Sequence, residues 1–554
     1  MANRRIRLLL LFFILVFLGV LLRAMWLQGV RAQSLSRLAS SQYRETVTVP
    51  ARRGTLYDRT GFPLALGEQA TTVYADPREV RDAPRIATAS GRILGLDPNR
   101  LYRQLTDRSK RFLYVERQAD SEKAARLQRL KLKGLGFYPE ERRAYPQRRV
   151  ASAVLGYAGV DNKGLAGLEL QLDRVVSGRP GERTIVKDPL GRPVDVISSR
   201  PERDGRDVFL TIDHTIQANA ESVLEDAVER WDAKGATAIV MDPHTGAVLA
   251  MADAPGFDAN RYPGVGEDLH RNRTVTDTFE PGSTFKVVTV GGVLSKGLVS
   301  PTTSYTLPYK IHVSDRVIHD AEARGTVTYS VSDILAHSSN VGAIMLAELL
   351  GKDRLLQWIR RFGFGRKTGI GFPGESAGIV LPSEQWSGST IGNVPIGQGI
   401  AVTPVQMAEA YAAIANRGIA VRPHLVDHFA GEGHPRFERH RVLSATVARE
   451  LIEMLRDVVI EGTGRRATVP GYEVAGKTGT AAKANPWGGY SRRKYVASFV
   501  GVVPATRPRL VILVTVDEPQ GAIAGGVVAA PAFQEIAKFD LQYLDVPPDS
   551  PRGG

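Results

Sequence analysis

The stretch GATAIVMDPHTGAVLAMA, residues 235–252, consists of two apolar runs separated by a short turn sequence, DPHTG. Proline and glycine favour a tight turn there, so the stretch predicts an antiparallel β-hairpin. Near the other end of the chain, YVASFVGVVP (495–504) and PRLVILVTVDEP (508–519) form a second such pair. Helical patterns separate the two pairs. We therefore expect an α+β domain in which one antiparallel sheet is built from both ends of the segment and is flanked by helices.

The start of this domain is indicated by SSRPERDGRD (198–207), a charged stretch that contains proline and glycine. A strand pattern, VFLTID, and a helical pattern, TIQANAESVLEDAVERW, follow it. We therefore place a C-terminal domain at residues 204–541 and a mixed α/β support domain at residues 28–203. The last residues, 542–554, are rich in proline and glycine and are expected to be a disordered tail.

Two stretches predict local structure in the support domain. TVTVPARRGTLYDRTGFPLA (46–65) predicts a strand, a turn at Asp58–Gly61 and a second strand. RSKRFLYVERQADSEKAARLQRLKLKG (108–134) predicts an amphipathic helix with a solvated basic face. Neither stretch contains a reactive cluster, so this domain is expected to support the other one.

Composition excludes several classes of function. The 554-residue chain has 72 Lys and Arg against 58 Asp and Glu, a net charge of +14. No nucleic-acid-binding motif accompanies this excess, so we expect no nucleic acid partner. An anionic membrane surface or an anionic polymer outside the cell fits the charge better. The chain has no cysteine, which excludes disulfides, thiolate nucleophiles and cysteine-bound metals.

An uninterrupted apolar run, LLLLFFILVFLGVLL, covers residues 8–22. With its flanks it reaches the roughly 20 residues that a bilayer requires, and Trp26 suits the interface. We therefore expect a transmembrane anchor at residues 6–27 and a cytoplasmic N-terminus at residues 1–5. Arginines flank both ends of the run, so this orientation follows mainly from the short N-terminus. A cleaved signal peptide is the alternative, but its loose cleavage pattern at residues 30–32 lies ten residues beyond the apolar run.

The motif EPGSTFK places Ser283 three residues before Lys286 at a predicted helix start. Taken alone the pair is a weak signal, because a serine there can simply cap the helix. Two further polar motifs follow in order, HSSN (337–340) and GKTGTAAK (476–483). The ordered set Ser-x-x-Lys, Ser-x-Asn and Lys-Thr-Gly-Thr is typical of penicillin-binding proteins and active-site serine β-lactamases, which have Asp where this chain has Ser339.

These residue types suit acyl transfer through a serine. Positions i and i+3 of a helix share a face, so Lys286 can reach the hydroxyl of Ser283. A lysine base must be neutral, and burial together with a second ammonium at Lys477 would lower the pKa of Lys286 from the usual value of about 10.4. Ser338 could pass the proton to the leaving amine. Asn340 could orient Lys286 while holding a substrate carbonyl.

The Lys-Thr-Gly-Thr motif is expected on the edge strand of the sheet. Gly479 lets a peptide substrate approach and pair with the backbone. Lys477 and the hydroxyls of Thr478 and Thr480 are expected to bind a terminal carboxylate. The backbone N–H groups of Ser283 and Thr480 are expected to form an oxyanion hole.

Two other candidate sites compete with this one. GESAG (374–378) fits the nucleophile elbow of esterases around Ser376, but prolines on both sides predict a loop where the elbow requires a strand and a helix. His337 lies beside Ser338, yet a histidine in such a position is more often packed or solvated than part of a triad. The ten histidines form no H-E-x-x-H motif, so neither a metal nor another cofactor is expected.

Seven blocks, spread over nearly the whole chain, are RRGTLYDRTGFPLA, RAYPQRRVASAVLGYAG, GLAGLELQLDRVVSGRPGE, RNRTVTDTFEPGSTFK, SSNVG, PIGQGIAVTPVQMAEAYAAIANRG and VAGKTGTAAK. Together they resemble the class B penicillin-binding proteins, the membrane-anchored D,D-transpeptidases of bacterial cell-wall synthesis. The resemblance implies a transmembrane helix, an elongated mixed α/β pedestal, and a transpeptidase domain whose antiparallel sheet is flanked by helices and accompanied by an all-helical subdomain. Glu280 and Asn340 resemble the septal branch, whereas the elongation branch usually has Pro and Asp there.

The resemblance also implies an activity. Ser283 would attack the penultimate D-Ala carbonyl of a pentapeptide stem and release the terminal D-Ala, and an amine of a neighbouring stem would resolve the acyl-enzyme into a crosslink. β-Lactams would acylate the same serine. The implied partners are the septal glycosyltransferase FtsW and other divisome membrane proteins, with the anchor in the inner membrane and the catalytic domain in the periplasm. The alternatives are an elongation-type transpeptidase, a membrane-tethered β-lactamase or penicillin sensor, and a non-catalytic septal scaffold.

Overall fold

The computed structural model describes residues 2–29, 44–187, 193–485 and 487–549. The chain divides into two compact units. The first comprises Met1–Arg53 and Ser177–Gly205, and the second comprises Gly54–Val176 and Arg206–Gly554. The support region drawn from the sequence at 28–203 therefore contributes residues to both units.

The strands, in chain order, are β1 (Arg44–Val49), β2 (Leu56–Tyr57), β3 (Pro63–Ala75), β4 (Leu113–Asp120), β5 (Leu135–Ala144), β6 (Gly181–Lys187), β7 (Pro193–Arg200), β8 (Val208–Leu210), β9 (Gly235–Met241), β10 (Val248–Ala254), β11 (Ser304–Leu307), β12 (Lys310–Val313), β13 (Arg316–His319), β14 (Val327–Ser330), β15 (Ile419–Val421), β16 (Val426–Phe429), β17 (Arg439–Arg441), β18 (Ala475–Ala484), β19 (Tyr490–Val503) and β20 (Leu510–Asp517).

The α-helices are α1 (Ala2–Gly29), α2 (Ala83–Leu94), α3 (Pro98–Leu105), α4 (Ser121–Arg129), α5 (Ser152–Leu155), α6 (Gly167–Gln171), α7 (Asp173–Val176), α8 (His214–Arg230), α9 (Arg273–Thr276), α10 (Lys286–Ser295), α11 (Val331–Ala336), α12 (Asn340–Leu350), α13 (Lys352–Arg361), α14 (Thr390–Asn393), α15 (Pro404–Ala415), α16 (Ala445–Ile460) and α17 (Gly525–Tyr543).

The first unit contains α1 and one antiparallel sheet of order β1-β6-β7. Among the described residues, α1 is the one helix that is long and apolar enough to cross a membrane. Its large apolar side chains between Leu8 and Leu22 are exposed, as expected for a helix that lipid surrounds. The cleavage pattern considered at residues 30–32 lies outside the described residues.

The second unit begins with a sheet built on the long strand β3, which pairs antiparallel with both β4 and β5. Helices α2, α3 and α4 cover one side of it around a core that includes Val73, Leu101 and Leu127. Because each helix contributes an apolar face, their charged residues remain in solvent. This part of the chain is the mixed α/β support region that the sequence predicts.

The prediction of an amphipathic helix over residues 108–134 is wrong for the first half of that stretch. Leu113–Asp120 form strand β4, and Ser121–Arg129 alone are helical. Aromatic and β-branched residues favour a strand over Leu113–Asp120, and β3 is the strand with which it pairs. The Asp120 side chain then caps α4 by accepting hydrogen bonds from two backbone N–H groups of its first turn.

A parallel pairing of β2 with β8 joins the support strands to the C-terminal part of the unit. The turn expected at Asp58–Gly61 is confirmed, because the Asp58 carboxylate accepts hydrogen bonds from the backbone N–H groups of Thr60 and Phe62 at 2.7 and 2.9 Å. Its other oxygen lies 2.6 Å from Nδ1 of His214, the first residue of α8. One buried aspartate therefore shapes the turn and attaches it to the next helix.

The central sheet has the order β10-β9-β20-β19-β18 and is antiparallel throughout. Both predicted hairpins are confirmed, and they join through β9 and β20 into the single sheet that the sequence indicates. In β20, Ile512 and Val514 face a core with α8 and α17, whereas Val511 and Leu513 face the core on the other side. Because both faces are buried, the strand is apolar at successive positions instead of alternating.

Helices α10, α12, α13, α15 and α16 share the larger hydrophobic core. Their contributions include Val290, Leu346, Trp358, Tyr411 and Leu455. The resemblance implies an all-helical subdomain here, but the region also contains β11–β14, which form two two-stranded sheets between α10 and α11. Its position brings the segment before α10 and the junction between α11 and α12 towards the edge strand β18, so the three polar motifs meet at one place.

The C-terminal helix α17 ends at Tyr543, and the residues after it contact the rest of the unit. The backbone N–H of Glu473 donates to the Asp549 carboxylate at 2.9 Å, and the Tyr472 hydroxyl donates to the Val546 carbonyl at 2.6 Å. The expected disordered tail is therefore wrong for residues 542–549, because these contacts hold the segment. The remaining residues of that tail lie outside the described part of the chain.

A buried ion pair connects β5 to α6. Nε of Arg143 donates to a carboxylate oxygen of Glu169 at 2.6 Å, and both side chains are buried. The Tyr145 hydroxyl lies 3.4 Å from the same oxygen and accepts a hydrogen bond from the backbone N–H of Ala158. Removing one partner of such a pair leaves a buried charge without compensation.

We expect Glu169→Ala to lower the free energy of unfolding by about 3 kcal/mol, because the Arg143 charge stays buried. The exposed pair of Arg149 and Glu225, joined at 3.0 Å, provides the matched control. Glu225→Ala should change the same free energy by less than about 0.5 kcal/mol. Denaturant titration of the full-length protein measures both, and equal effects would contradict a special role for the buried pair.

Candidate active site

Ser283 lies in a 3₁₀ turn, Gly282–Phe285, that leads directly into α10. The turn is held from inside: the Thr284 hydroxyl donates to the Pro281 carbonyl at 2.7 Å, and the Tyr411 hydroxyl donates to the Thr284 carbonyl at 2.9 Å. Ser283 itself is half-buried and provides no side-chain cap to the turn. The structure therefore does not show the capping role that the sequence allows for Ser283. The Ser283 hydroxyl is instead a polar group on a backbone that these hydrogen bonds hold in place.

The amine of Lys286 is fully buried and donates to the second motif. Nζ lies 2.5 Å from the carbonyl oxygen of Ser338, 3.2 Å from the hydroxyl of Ser338 and 2.8 Å from Oδ1 of Asn340. Burial lowers the pKa of Lys286 well below the ordinary 10.5, and the ammonium of Lys477 lowers it further, while the Asp320 carboxylate opposes both. The structure therefore brings these residues together and favours the neutral amine.

Ser283 and Lys286 are the first and last residues of the stretch that the sequence treats as a helical turn. In the structure Ser283 lies in the 3₁₀ turn Gly282–Phe285, and Lys286 is the first residue of α10. Among the described residues, no hydrogen bond joins the Ser283 hydroxyl to the Lys286 amine. Proton transfer between them stays a prediction.

The second motif occupies the junction between α11 and α12. Ser338 has a left-handed φ of +58°, and its carbonyl and hydroxyl oxygens both face Lys286. Ser339 is the N-cap of α12 and accepts a hydrogen bond from the backbone N–H of Gly342 at 3.1 Å. Nδ2 of Asn340 donates to the His319 carbonyl, which directs Oδ1 towards Lys286.

Asp320 is a residue of this site that the sequence analysis missed. Its buried carboxylate accepts hydrogen bonds from the Ser339 hydroxyl and from the backbone N–H groups of Asn340 and Val341. It also forms an ion pair with Arg324, four residues on. That spacing is the sole local signal in the sequence, and it is common on surfaces, so the contact with the second motif emerges from the fold alone.

The third motif lies on β18, the edge strand of the central sheet, as the sequence predicts. It touches the serine turn: a Cβ added to Gly282 would lie 2.9 Å from the carbonyl oxygen of Thr480 and 3.3 Å from its nitrogen. A Cβ added to Gly479 would lie 2.8 Å from the Pro281 carbonyl oxygen. Glycine at both positions therefore permits this contact, which brings the backbone of Thr480 next to that of Ser283.

Lys477 is the second fully buried lysine of the site. Burial lowers its pKa to about 7. Nζ of Lys477 lies 3.3 Å from the carbonyl oxygen and 3.4 Å from the hydroxyl of Thr478. Because like charges disfavour each other in a dry site, the Lys477 ammonium disfavours the charged form of Lys286.

The two threonine hydroxyls of the third motif already have protein partners. The Thr478 hydroxyl lies 2.7 Å from that of Thr463, and the exposed Thr480 accepts a hydrogen bond from the backbone N–H of Gly525 at 3.1 Å. A Cβ added to Gly525 would lie 2.3 Å from the Gly479 carbonyl oxygen, so a glycine is needed for α17 to pack against the motif. Thr463 and Gly525 had no signal in the sequence, and carboxylate binding by the two hydroxyls stays a prediction.

Glu280 connects the approach to the serine turn with two other segments. One carboxylate oxygen accepts hydrogen bonds from the backbone N–H of Gly399 at 2.9 Å and from the hydroxyl of Tyr490 at 3.0 Å. Burial raises the pKa of Glu280. Because Tyr490 begins β19, this carboxylate links the serine turn to the hairpin that carries the third motif.

The two competing candidates do not form sites. Ser376 lies in a loop, where its backbone N–H donates to the Val275 carbonyl at 2.9 Å and its hydroxyl accepts a hydrogen bond from the backbone N–H of Gly378. The strand and helix of a nucleophile elbow do not flank it. His337 is exposed and stacks on Tyr329 at 4.9 Å between ring centroids.

Most of the chain matches two known families of protein domain. Residues 236–538 match the penicillin binding protein transpeptidase domain, and residues 48–210 match the penicillin-binding protein dimerisation domain. The peptidoglycan D,D-transpeptidase FtsI of Escherichia coli K12 is 35% identical over 547 residues, which cover 97% of this chain and 91% of the relative. Stage V sporulation protein D of Bacillus subtilis is 33% identical over 561 residues, which cover 99% and 87%.

Solved structures show the same architecture. Penicillin binding protein 3 of Mycobacterium tuberculosis, complexed with aztreonam, matches with a TM-score of 0.72 and 33% identity, covering 91% of this chain and 99% of that one. Penicillin Binding Protein 2X of Streptococcus thermophilus matches with a TM-score of 0.75 and 25% identity, covering 90% and 80%. The chain therefore belongs to the class B penicillin-binding proteins, serine D,D-transpeptidases in which a dimerisation domain precedes the transpeptidase domain.

Proposed function

We propose that this protein is a septal D,D-transpeptidase, which crosslinks the stem peptides of peptidoglycan during cell division. The observation that carries its chemistry is the fully buried amine of Lys286, held by Ser338 and Asn340 beside the turn that contains Ser283. Such an environment favours the neutral amine, which is the form that a general base requires.

Acylation uses groups from all three motifs. The Ser283 hydroxyl attacks the carbonyl carbon of the penultimate D-Ala, and Lys286 accepts the hydroxyl proton. The developing oxyanion faces the backbone N–H groups of Ser283 and Thr480. Ser338, whose hydroxyl lies 3.2 Å from the Lys286 amine, relays the proton to the nitrogen of the terminal D-Ala as the peptide bond breaks. Free D-Ala departs, and Ser283 carries the remaining peptide as an ester.

Crosslinking reverses these proton movements. An amine of a neighbouring stem attacks the ester carbonyl and loses a proton to Lys286. The bond between the Ser283 oxygen and the carbonyl carbon breaks, and the proton passes to that oxygen. A new peptide bond joins the two stems, the serine is restored, and no net proton is consumed.

Substrate and inhibitor bind along the edge strand. We propose that Lys477, Thr478 and Thr480 bind the terminal carboxylate and that Gly479 leaves room for the peptide to pair with β18. A β-lactam presents an amide and a carboxylate to the same groups, and its leaving group stays tethered after ring opening. The acceptor amine then cannot enter, so Ser283 remains acylated.

The septal assignment rests on Glu280 and Asn340, which resemble that branch of the family. Both have defined contacts here, since Glu280 connects the serine turn to the β18–β19 hairpin and Asn340 binds Lys286. The similarity to FtsI supports the assignment. The proposed partners are the glycosyltransferase FtsW, which would supply new glycan strands, and other divisome membrane proteins.

The proposed topology follows from the anchor and from the substrate. We place residues 1–5 in the cytoplasm, 6–27 in the inner membrane, 28–203 in a pedestal and 204–541 in a periplasmic transpeptidase domain. Helix α1 supports the anchor because it is long and apolar enough to cross a membrane. Stem peptides are crosslinked outside the cytoplasmic membrane, so the catalytic domain belongs on that side.

A fluorescent penicillin is expected to label the full-length protein covalently, and Ser283→Ala is expected to abolish labelling because the attacking oxygen is absent. Ser376→Ala, at the competing loop serine, is the matched control and should label like the wild type. Intact-mass spectrometry follows the adduct with time. A long-lived adduct distinguishes a transpeptidase from a β-lactamase, and labelling of Ser283→Ala would refute the nucleophile assignment.

Lys286→Arg is expected to slow acylation by about 100- to 10,000-fold, because a guanidinium stays protonated and cannot accept the serine proton. The control is Lys483→Arg on β18, since Lys483 forms ion pairs with Asp517 and Glu518 that arginine can keep. Stopped-flow acylation by a fluorescent penicillin measures both rates. Near-normal acylation of Lys286→Arg would contradict its assignment as the base.

Depletion of the protein in its own bacterium is expected to produce filaments with unfinished septa, because elongation continues while septal crosslinking stops. Microscopy of cells complemented with the wild type or with Ser283→Ala provides the test, and the wild type alone should restore division. Round or swollen cells after depletion would assign the protein to the elongation branch instead.

A further inference from the structure

The residue that orders the second motif lies outside all three motifs. Asp320 follows β13, and its carboxylate is buried. One oxygen accepts hydrogen bonds from the backbone N–H groups of Asn340 at 2.5 Å and Val341 at 3.0 Å. The Ser339 hydroxyl lies 3.1 and 3.0 Å from the two carboxylate oxygens. Asp320 therefore satisfies the first N–H groups of α12 from another segment, with its negative charge at the positive end of that helix.

Asp320 holds Asn340 through the backbone N–H of Asn340, and His319, the residue before Asp320, holds the side chain of Asn340. The His319 carbonyl accepts a hydrogen bond from Nδ2 of Asn340 at 3.0 Å. The amide oxygen of Asn340 is thereby left facing the Lys286 amine at 2.8 Å. Two consecutive residues, His319 and Asp320, thus determine both the position and the orientation of the group that contacts Lys286.

Ser338 depends on the same contact. Its φ of +58° is a conformation that a residue with a side chain seldom adopts. On one side, the end of α11 holds it, because the backbone N–H of Ser338 donates to the Leu335 carbonyl at 3.2 Å. On the other side, Asp320 holds the next residues. The Asp320 carboxylate therefore helps to keep the carbonyl and hydroxyl oxygens of Ser338 in their positions facing Lys286.

Asp320 also acts on Lys286 through its charge. Its carboxylate raises the pKa of Lys286, against burial and the Lys477 ammonium, which lower it. Arg324 moderates that negative charge, since its Nε donates to the Asp320 carboxylate at 2.9 Å. The other titratable groups near this cluster include His319, with Nδ1 2.7 Å from the Asp320 carbonyl oxygen, and, at the ends of α11, His337 and Asp333. Tyr309 packs on the His319 ring, and Arg324 lies over the Tyr329 ring.

We propose that Asp320 is a positioning residue of the transpeptidase reaction, which holds Ser338 and Asn340 against Lys286 and, together with Arg324, sets the electrostatic balance around that amine. The proposal deepens the proposed function, because it rests on Lys286 being the base. Asp320 touches neither the substrate nor the reacting atoms.

The test is the pH dependence of acylation by a fluorescent penicillin, measured on the full-length protein in detergent. The wild-type rate should fall at acid pH as Lys286 becomes protonated. This falling part of the plot of rate against pH is the acidic limb. Asp320→Asn removes the negative charge, so the pKa of Lys286 falls and the limb should move to lower pH. Because the motif also loses its support, the maximal rate should drop by about 100-fold.

A second variant should move the acidic limb in the opposite direction. Arg324→Gln leaves the carboxylate but removes the cation that moderates it, so the pKa of Lys286 rises and the limb should move to higher pH. Asp320→Glu keeps the charge with a longer side chain, so the limb should stay in place while the maximal rate drops. This variant also keeps the test valid if Asp320→Asn unfolds the protein.

The matched control is Asp333→Asn. Asp333 forms a capping box with Ser330 at the start of α11, so its loss weakens a nearby helix start without altering the charge beside Lys286. His319→Gln and His337→Gln are further controls, and neither they nor Asp333→Asn should move the limb.

Shifts of the limb in opposite directions for Asp320→Asn and Arg324→Gln would support the proposal. An unmoved limb in both variants would overturn it, including the case in which the maximal rate alone falls, because a merely structural residue would behave in that way. Failure of the base assignment would look different. The wild type would then show no acidic limb, or its limb would persist in Lys286→Arg.

Discussion

The burial of the Lys286 amine is the constraint on which the rest of the site depends. A lysine side chain in a dry interior must find oxygen partners, and Lys286 finds them on Ser338 and Asn340 at 2.5 to 3.2 Å. Those partners belong to a segment more than 50 residues away, so the helical subdomain has to bring α10 and α12 together. The same burial, with Lys477 nearby, makes the neutral amine accessible. One packing arrangement thus positions the base and prepares its protonation state.

The central sheet supplies the other half of the site. Its strand order leaves β18 at an edge, where one side of the strand has no β-partner among the described residues and can pair with an extended peptide. Gly282, Gly479 and Gly525 let the serine turn, the edge strand and α17 approach within distances that any side chain would prevent. The backbone of the serine turn therefore lies directly against the backbone of the edge strand. The first and third motifs meet at this contact.

Much of this arrangement could be predicted from the sequence, for physical reasons. The two hairpins were recognisable because their apolar runs are bounded by turn residues, and the three motifs because their chemistry requires particular side chains in order. Strand β4 was missed because its short apolar pattern matches a helix as well as a strand until pairing with β3 decides. The ordered residues 542–549 were missed because their proline-rich composition hides specific contacts. Asp320 and Thr463 act through the fold, and the one local signal, the spacing of Asp320 and Arg324, is common on surfaces and does not indicate the site.

Lys286 can act as the base only if its amine is neutral when the enzyme works. The most direct measurement is the pH titration of the Lys286 signal by NMR of protein labelled with ¹³C at the lysine ε-carbon, with the signal assigned by its absence in Lys286→Arg. We predict a midpoint well below the ordinary 10.5, since burial and Lys477 both disfavour the ammonium. A midpoint near 10.5 would contradict it, because Lys286 would then be charged at physiological pH and unable to accept the proton of Ser283.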